Sequence, residues 1–279
     1  GDLFIAIPGT KADGVQYAHE AVQRGAVAVL AEKTIGGLSV PLFVTPGVRK
    51  AAALVAGNFY GNPARDLVLL GVTGTNGKTT TAWLVESICL AGMNNVGLLG
   101  TIGVRWGGEL KEATHTTPDP IALHRTFREM ADAGVDTVVM EVSSHALALH
   151  RVDGLVYDLA LFTNLSQDHL DMHGSMEEYF AAKASLFTPG RARAGVVCVD
   201  DSWGRRLARE SGIPVVTLGQ ADGADIRLSV NFDGTFTLQG SAAAPGRSGE
   251  RITVDLTSKS ALPGSFNAVN TALATVTLL

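Results

Sequence analysis

Short apolar runs alternate with stretches of helical spacing over most of the chain. Apolar positions recur every three or four residues at 78–91, 120–133, 176–187 and 202–211, which predicts helices packed against a sheet. The runs between them predict buried strands at residues 67–72, 96–99, 137–142, 159–163, 195–199 and 215–218. This order predicts an α/β fold with a doubly wound, mostly parallel sheet and ligands at the carboxyl ends of its strands.

The first part of the chain predicts a smaller α/β unit. Its strands are expected at residues 3–7, 26–31 and 41–45, and its helices at 16–24 and 48–60. Gly61, Asn62 and Pro63 then break the helical pattern. We therefore predict a small domain over residues 1–65 and a larger one over residues 66–279.

Residues 226–256 change to an alternation of polar and apolar positions. Arg227 and Ser229 alternate with Leu228 and Val230, and a turn signal follows at Asp233-Gly234. Period-two alternation around such a turn predicts an antiparallel hairpin region beside the parallel strands.

Composition narrows the class of partner. The net charge of −5 provides no basic surface of the kind that nucleic-acid binding needs, so DNA and RNA are excluded. No apolar run reaches the roughly 18 residues of a membrane span, and no signal peptide opens the chain. Cys89 and Cys198 lie far apart in apolar surroundings and are expected to be buried packing residues. A cytoplasmic protein is predicted.

Both ends suggest a fragment. The chain begins without an initiator methionine, at what reads as the entry to a strand. It stops at Leu279 within an apolar helical pattern that has no stop signal.

Residues 71–80 form a glycine-rich segment between a predicted strand and a predicted helix. Glycines there let backbone N–H groups turn toward phosphates, and the helix N-terminus adds a positive end. Lys78 is placed to reach the β- and γ-phosphates, and the Thr79 hydroxyl to reach a magnesium ion. The strict phosphate-loop pattern has its first glycine at the position of Val72, between Gly71 and Gly74. We predict nucleotide binding, which kinases, GTPases, motor ATPases and ligases share.

Polar residues also follow two further predicted strands. Glu141 ends one of them and is either a magnesium ligand or a solvated strand-end glutamate. The segment 162–174 brings Asp168, His169, Asp171 and His173 to the same edge, where they suit metal binding or acid–base work. A solvent-exposed helix cap is the alternative for that segment.

Three more features remain open from the residues alone. Segment 115–119 offers hydroxyls to a ligand or simply caps a helix with Asp119. Arg151 clamps an anion or is an ordinary surface arginine. Lys183, in an otherwise apolar helix, would by itself be expected to extend to water.

Three segments and one lysine together resemble the Mur ligases. They are residues 73–80, Glu141 with the following Val-Ser-Ser-His, and Asn164 through Gly174 with Lys183 downstream. Within that family, the resemblance is to the branch that adds the third residue of the stem peptide to UDP-N-acetylmuramoyl-L-Ala-D-Glu. It covers essentially the whole chain. It implies an ATP- and Mg²⁺-dependent ligase of cell-wall precursor synthesis whose C-terminal domain, which binds the amino acid, is missing here.

The resemblance also implies roles for individual residues. Catalysis involves Lys78, Glu141, His169 and Lys183, and Lys183 matches a lysine that the family carbamylates. Magnesium is surrounded by Thr79, Glu141, His169 and Lys183. ATP is bound by Gly74, Thr75, Asn76, Gly77, Lys78, Thr79, Thr80, Asn267 and Asn270. The muramoyl-peptide substrate is bound by Thr10, Lys11, Ala12, His115, Thr116, Thr117, Ser143 and Arg151.

The implied reaction forms an amide through an acyl phosphate, with meso-diaminopimelate or L-lysine as the incoming amino acid. A related ligase such as a folylpolyglutamate synthetase, a non-catalytic nucleotide-binding module and a kinase are the alternatives. A monomer is expected.

Overall fold

The computed structural model describes residues 1–9, 12–92, 94–113, 115–231, 233–243 and 250–279. Its first three strands form a small parallel sheet in the order β1-β2-β3: β1 (Asp2–Ile5), β2 (Ala26–Ala31) and β3 (Leu42–Val44). A 3₁₀ turn (Gly14–Tyr17) leads into helix α1 (Ala18–Gln23), and α2 (Val48–Phe59) follows β3. The strands and helices predicted for residues 1–65 are therefore present, although the predicted helix 16–24 begins as a 3₁₀ turn.

The other strands form one sheet of eleven in the described parts of the chain, with the order β14-β13-β12-β11-β10-β9-β4-β8-β5-β6-β7. Their bounds are β4 (Val68–Thr73), β5 (Val96–Leu99), β6 (Val104–Trp106), β7 (Glu109–Lys111), β8 (Thr137–Glu141), β9 (Tyr157–Phe162), β10 (Ala192–Cys198), β11 (Val215–Gly219), β12 (Ile226–Val230), β13 (Thr235–Ala243) and β14 (Arg251–Lys259).

Helices cover both faces of this sheet. They are α3 (Lys78–Ala91), α4 (Pro120–Asp132), α5 (Ser144–Ala148), α6 (Leu170–His173), α7 (Met176–Ala184), α8 (Ser202–Glu210) and α9 (Ser265–Thr277). One apolar core contains Phe127 and Phe162, and the core on the opposite face contains Val85 and Leu273. The doubly wound, mostly parallel α/β fold is as predicted.

The position of β4 determines where a ligand meets the sheet. β4 pairs in parallel with β8 on one side and with β9 on the other. The connections after these three strands thus leave the same edge of the sheet side by side. Such a point, where the strand order reverses, is where open α/β sheets bind ligands.

The antiparallel region is also confirmed, since β12, β13 and β14 pair antiparallel. A second hairpin, β6 with β7, was not predicted. Gly107 and Gly108 form its turn with φ angles of 59° and 85°, which favour glycine. Helix 176–187 ends earlier than predicted, at Ala184, and continues as a 3₁₀ turn (Ser185–Phe187).

Two further observations concern the cysteines and the length and polarity of the helices. Cys89 and Cys198 are both buried and free, as predicted. Within the described residues, the helices are all too short or too polar to cross a membrane.

Candidate active site

The phosphate loop lies between β4 and α3, and its backbone needs glycine at two positions. Gly74 has a φ of 144° and Gly77, the residue that precedes α3, has a φ of 83°. A Cβ atom on Gly74 would lie 1.9 Å from the Thr163 hydroxyl, and one on Gly77 would lie 2.5 Å from the Asn270 carboxamide oxygen. The close packing of this loop against neighbouring segments therefore depends on both glycines.

The segment after β9 holds the phosphate loop in place. The Asn76 N–H donates to the Asn164 side chain at 3.0 Å, and the Thr163 hydroxyl donates to the Asn76 carbonyl at 2.7 Å. The Thr75 N–H donates to the Asn164 carbonyl at 2.8 Å. Sequence reasoning did not assign Asn164 a role, because its partners lie 88 residues away.

Two lysines converge on one carbonyl of this loop. Lys78 Nζ donates to the Gly74 oxygen at 3.1 Å and to the Thr75 oxygen at 2.8 Å. Lys183 Nζ donates to the same Gly74 oxygen at 2.8 Å. Burial lowers the pKa of Lys78, and the carboxylates of Glu141 and Asp168 oppose that shift.

Lys183 is buried rather than extended to water. Only 1% of it is exposed, and its ammonium group lies 4.7 Å from the centre of the Tyr179 ring. Burial, and secondly the neighbouring Lys78, lowers the pKa of Lys183 to about 7. A substantial neutral fraction at neutral pH follows, and a neutral amine is a nucleophile.

Glu141 stands at the carboxyl end of β8 and is held by hydroxyls and a backbone donor. It is 1% exposed. Thr79 Oγ1 donates to its Oε2 at 3.0 Å. Thr101, which follows β5, donates its N–H to Oε1 at 2.8 Å and its hydroxyl to Oε2 at 3.1 Å. The solvated strand-end alternative is therefore wrong, and Thr101 is a site residue that the sequence reasoning missed.

A hydrogen-bonded path leads from Glu141 to Arg151. Thr117 Oγ1 donates to the Glu141 carbonyl at 2.8 Å and accepts from the Ser143 N–H at 3.1 Å. Arg151 donates to the Thr117 carbonyl at 2.9 Å. Asp119 caps α4, so segment 115–119 both starts a helix and contributes to the site.

Three histidines gather beside this path. The rings of His145 and His169 are 4.8 Å apart, and those of His145 and His173 are 5.9 Å apart. His173 is buried and its Nε2 lies 3.0 Å from the Ser144 hydroxyl, so it faces the interior. Burial lowers the pKa of His145 and that of His173. Asp168 and Asp171 are exposed.

One cavity of about 540 Å³ collects most of these groups. It is lined by Thr75, Asn76, Gly77, Lys78, Thr79, Thr80, Thr101, His115, Thr116, Thr117, Glu141, Ser143, His145, Arg151 and His169. An adjoining cavity of about 700 Å³ is lined by Asn76, Gly77, Thr80 and Asn270, among others.

Other predicted site residues lie elsewhere. Asn267 donates its side chain to the Pro263 carbonyl at 2.7 Å and is not part of either lining. Ala12 lies in the small unit, where its carbonyl accepts from the Gly9 N–H at 2.9 Å. Thr10 and Lys11 lie outside the described residues.

The residues beside the phosphate loop can supply part of the coordination shell of Mg²⁺. Thr79 and Glu141 are in contact and offer oxygen atoms, which Mg²⁺ prefers. In the described ranges, three or more histidine, cysteine, aspartate or glutamate side chains are nowhere gathered closely enough to hold a metal ion by themselves. A magnesium ion usually takes one or two protein oxygens and completes its shell with water and phosphate, so these residues fit the ion when nucleotide is bound.

Comparison with known proteins decides the family. The family model described as "Mur ligase middle domain" matches residues 72–278. This chain belongs to the Mur ligases. Over 288 aligned residues it is 44% identical to the UDP-N-acetylmuramoyl-L-alanyl-D-glutamate--2,6-diaminopimelate ligase of Streptomyces coelicolor, covering 100% of the chain and 55% of that relative. It thus spans about half the length of such Mur ligases.

Solved structures show the same fold. A structure of a UDP-N-acetylmuramoyl-L-alanyl-D-glutamate--2,6-diaminopimelate ligase superposes with a TM-score of 0.83 at 27% identity, over 99% of this chain and 56% of the other. A Mycobacterium tuberculosis folylpolyglutamate synthase, complexed with ADP and AMPPCP, gives 0.61 at 19% identity, over 82% and 58%. The second likeness shows the shared fold alone.

Proposed function

We propose that this chain forms the nucleotide- and muramoyl-peptide-binding part of an ATP-dependent ligase. The ligase joins a diamino acid to UDP-N-acetylmuramoyl-L-Ala-D-Glu during peptidoglycan precursor synthesis. The observation that carries the proposal is a cavity in which the Lys78 phosphate loop faces Glu141, Thr117 and Arg151. A phosphate donor and a carboxylate acceptor need such adjacency to react.

The phosphate loop supports the ATP half of the proposal. Glycine backbone and the start of α3 direct N–H groups at phosphates, and Lys78 adds a cation at the same place. When phosphates bind, Lys78 exchanges its contacts with the Gly74 and Thr75 carbonyls for phosphate oxygens. The adjoining cavity at Asn270 has room for the base and ribose.

Thr79 and Glu141 would hold Mg²⁺ in this proposal, with His169 and Lys183 nearby. The ion would supply positive charge that offsets the charge of the transferred phosphoryl group. Because the Thr79 hydroxyl donates its hydrogen bond to Glu141, the lone pairs of the Thr79 oxygen are left to offer a cation.

The proposed reaction has two displacements. An oxygen of the D-glutamate γ-carboxylate attacks the γ-phosphorus of ATP, and the bond to the bridging oxygen breaks so that ADP leaves. The amine of the incoming amino acid then attacks the acyl carbon, phosphate leaves with its C–O bonding pair, and the nitrogen loses a proton to give the amide. Lys78 and the N–H groups of the loop offset charge on the phosphoryl oxygens throughout.

Lys183 has a further proposed role. Its neutral amine can attack the carbon of CO₂ and lose a proton to solvent, which gives a carbamate with one negative charge. Relative to the protonated lysine, a positive charge is thereby replaced by a negative one. Such an anion beside Lys78 would remove the repulsion between two cations that share the Gly74 carbonyl. The lowered pKa supports the proposal because only the neutral amine reacts.

The names of relatives such as the Streptomyces coelicolor enzyme support 2,6-diaminopimelate as the added amino acid, and we propose its meso form. We also propose that residues 1–65 bind the uridine end and that the enzyme is a cytoplasmic monomer. The two free, buried cysteines are consistent with a reducing compartment.

Calorimetry with UDP-N-acetylmuramoyl-L-Ala-D-Glu tests the proposal, with UDP-N-acetylglucosamine as the reference ligand. We expect preferential binding of the muramoyl dipeptide. Arg151→Ala should weaken that binding by about tenfold or more, because a charge-assisted hydrogen bond is lost. Arg193→Ala is the matched control, since Arg193 is exposed at the start of β10, away from the strand ends that carry the site.

Equal binding of the two ligands would contradict the proposed substrate. Full-length protein supplied with ATP, the muramoyl dipeptide and meso-diaminopimelate should release ADP and free phosphate. Phosphate transferred to a stable acceptor would instead identify a kinase, and no ADP release would overturn the ligase proposal.

A further inference from the structure

Thr101 bridges two parts of the site that are otherwise separate in sequence. Its N–H and its hydroxyl donate to the two oxygens of the Glu141 carboxylate, at 2.8 and 3.1 Å. Its oxygen also lies 3.0 Å from the hydroxyl oxygen of Thr116. The preceding Gly100 leaves room for this arrangement, since a Cβ atom there would lie 2.2 Å from Glu141 Oε1.

The direction of each hydrogen bond follows from the number of protons. A hydroxyl has a single proton, and a carboxylate oxygen can only accept. The Thr101 hydroxyl therefore uses its one proton in the hydrogen bond to Glu141 Oε2. In the contact between Thr101 and Thr116 the proton must then come from Thr116. With that proton used, Thr116 can offer the cavity only the lone pairs of its oxygen.

The same count applies to Glu141. Its Oε2 accepts from both Thr79 and Thr101, and its Oε1 accepts from the Thr101 N–H. These bonds use three of the roughly four acceptor positions of a carboxylate, which leaves one on Oε1. A carboxylate held this way cannot rotate without breaking several bonds at once.

We propose that Thr101 is a positioning residue for the reaction. It fixes the Glu141 carboxylate for a divalent cation, and through Thr116 it ties that carboxylate to the substrate loop at residues 115–117. Thr116 in turn selects a ligand group that donates an N–H or O–H, such as a peptide amide. This inference rests on the proposed function.

Thr101 suits a test because its side chain is exposed and its loss leaves the core intact. The experiment measures ADP binding by the chain as a function of Mg²⁺ concentration, and again in EDTA. Thr101→Val should raise the Mg²⁺ concentration for half-maximal effect by about tenfold, as for other partners of metal ligands. ADP affinity in EDTA should stay unchanged. Thr101→Ser, which keeps both donors, should behave as the unmodified chain.

Thr257→Val is the matched control, because Thr257 is an exposed threonine on β14, remote from the cavity. If Thr101→Val keeps the Mg²⁺ dependence of the unmodified chain, the inference is overturned while the proposed function stands. An equal loss of ADP affinity with and without Mg²⁺ would also overturn it, since general disturbance gives that result. If the unmodified chain itself shows no Mg²⁺ dependence, the proposed function fails and the inference falls with it.

A double-mutant cycle tests the link to Thr116. Muramoyl-dipeptide binding is measured for Thr101→Val, Thr116→Val and the double variant. If the two hydroxyls act as one unit, Thr116→Val costs less in the Thr101→Val background than alone. Additive losses would overturn the coupling between the carboxylate and the substrate loop.

Discussion

Lys183 is a buried cation beside a second cation, and the cost of that placement depends on pH. In the unfolded chain Lys183 keeps its proton up to its ordinary pKa of 10.5, whereas burial lowers the folded-state pKa to about 7. Between these values the unfolded state binds more protons, so stability rises with pH. The penalty is complete below pH 7 and disappears as pH approaches 10.5.

Lys183→Met removes this penalty. The variant should gain most in free energy of unfolding, relative to the unmodified chain, at pH 6. Its advantage should shrink by about 1.4 kcal/mol per pH unit between pH 7 and pH 9. Urea titrations in CO₂-free buffer measure both, and Lys259→Met, at an exposed position, is the control. A pH-independent difference would show that Lys183 keeps its charge over this range.

Several site residues were accessible from the sequence because they follow strands directly. Lys78, Glu141 and His169 were placed at one sheet edge by strand order alone, and the structure brings them to one cavity. Lys183 was not accessible in this way, because its environment consists of Tyr179 and the carbonyl of a distant loop. Thr101 was missed for the same reason: its partners come from segments 15 and 40 residues away.

Two aspartates that cap helices differ in how many segments they hold. Asp119 caps α4 by accepting from the Ile121 and Ala122 N–H groups at 3.0 and 3.1 Å. Asp201 caps α8 by accepting from Gly204 at 2.6 Å, and its second oxygen accepts from the Leu165 N–H at 3.0 Å. Asp201 therefore also holds the segment that supports the phosphate loop.

Alanine substitution should separate the contribution of helix capping from that of the hydrogen bond to Leu165. Asp119→Ala removes a cap and should lower the free energy of unfolding by about 1 kcal/mol. Asp201→Ala should cost that amount plus about 1.5–3 kcal/mol, because the Leu165 N–H also loses a charged partner. Urea unfolding of both variants gives the comparison. Equal losses would mean that the bond to Leu165 contributes nothing to stability.

Elements with strong apolar periodicity were predictable, and short mixed ones were not. Helix α3 and strand β5 have the bounds expected from their apolar positions. The β6–β7 hairpin was missed because its three-residue strands carry little alternation, although Gly107-Gly108 is a recognised hairpin turn. In the structure the hairpin forms at this glycine pair even though the patterns of its strands are weak.

Helix α2, which follows the small sheet, packs against α4 in the larger part of the chain. His124 of α4 is 4% exposed, and its Nδ1 has no hydrogen-bond partner in the described parts of the protein. Gly57 of α2 lets the ring approach closely, since a Cβ atom there would lie 3.2 Å from the ring. Burial lowers the pKa of His124 from 6.5. Below about pH 6.5 the His124 side chain is protonated in the unfolded chain more than in the folded one. The free energy of unfolding therefore decreases as the pH is lowered.

His124→Gln should therefore flatten the acid side of the stability profile. As the pH is lowered below 6.5, the unmodified chain should lose more free energy of unfolding than the variant. Urea unfolding at several pH values measures this, with His19→Gln at an exposed position as the control. Parallel profiles for the unmodified chain and His124→Gln would exclude His124 as the source of acid sensitivity.

The central place of β4 has a consequence for synthesis on the ribosome. β4 emerges early, yet its partners β8 and β9 come later, and Asn164 follows Asn76 by 88 residues. At translation rates of about 5–20 residues per second, that delay is roughly 4–18 s. During this time an apolar strand with Leu69, Leu70 and Val72 has at least one edge unpaired, a state prone to aggregation. Each nascent chain therefore passes through an interval of several seconds in which the strand that later carries the phosphate loop is still without its full set of partners.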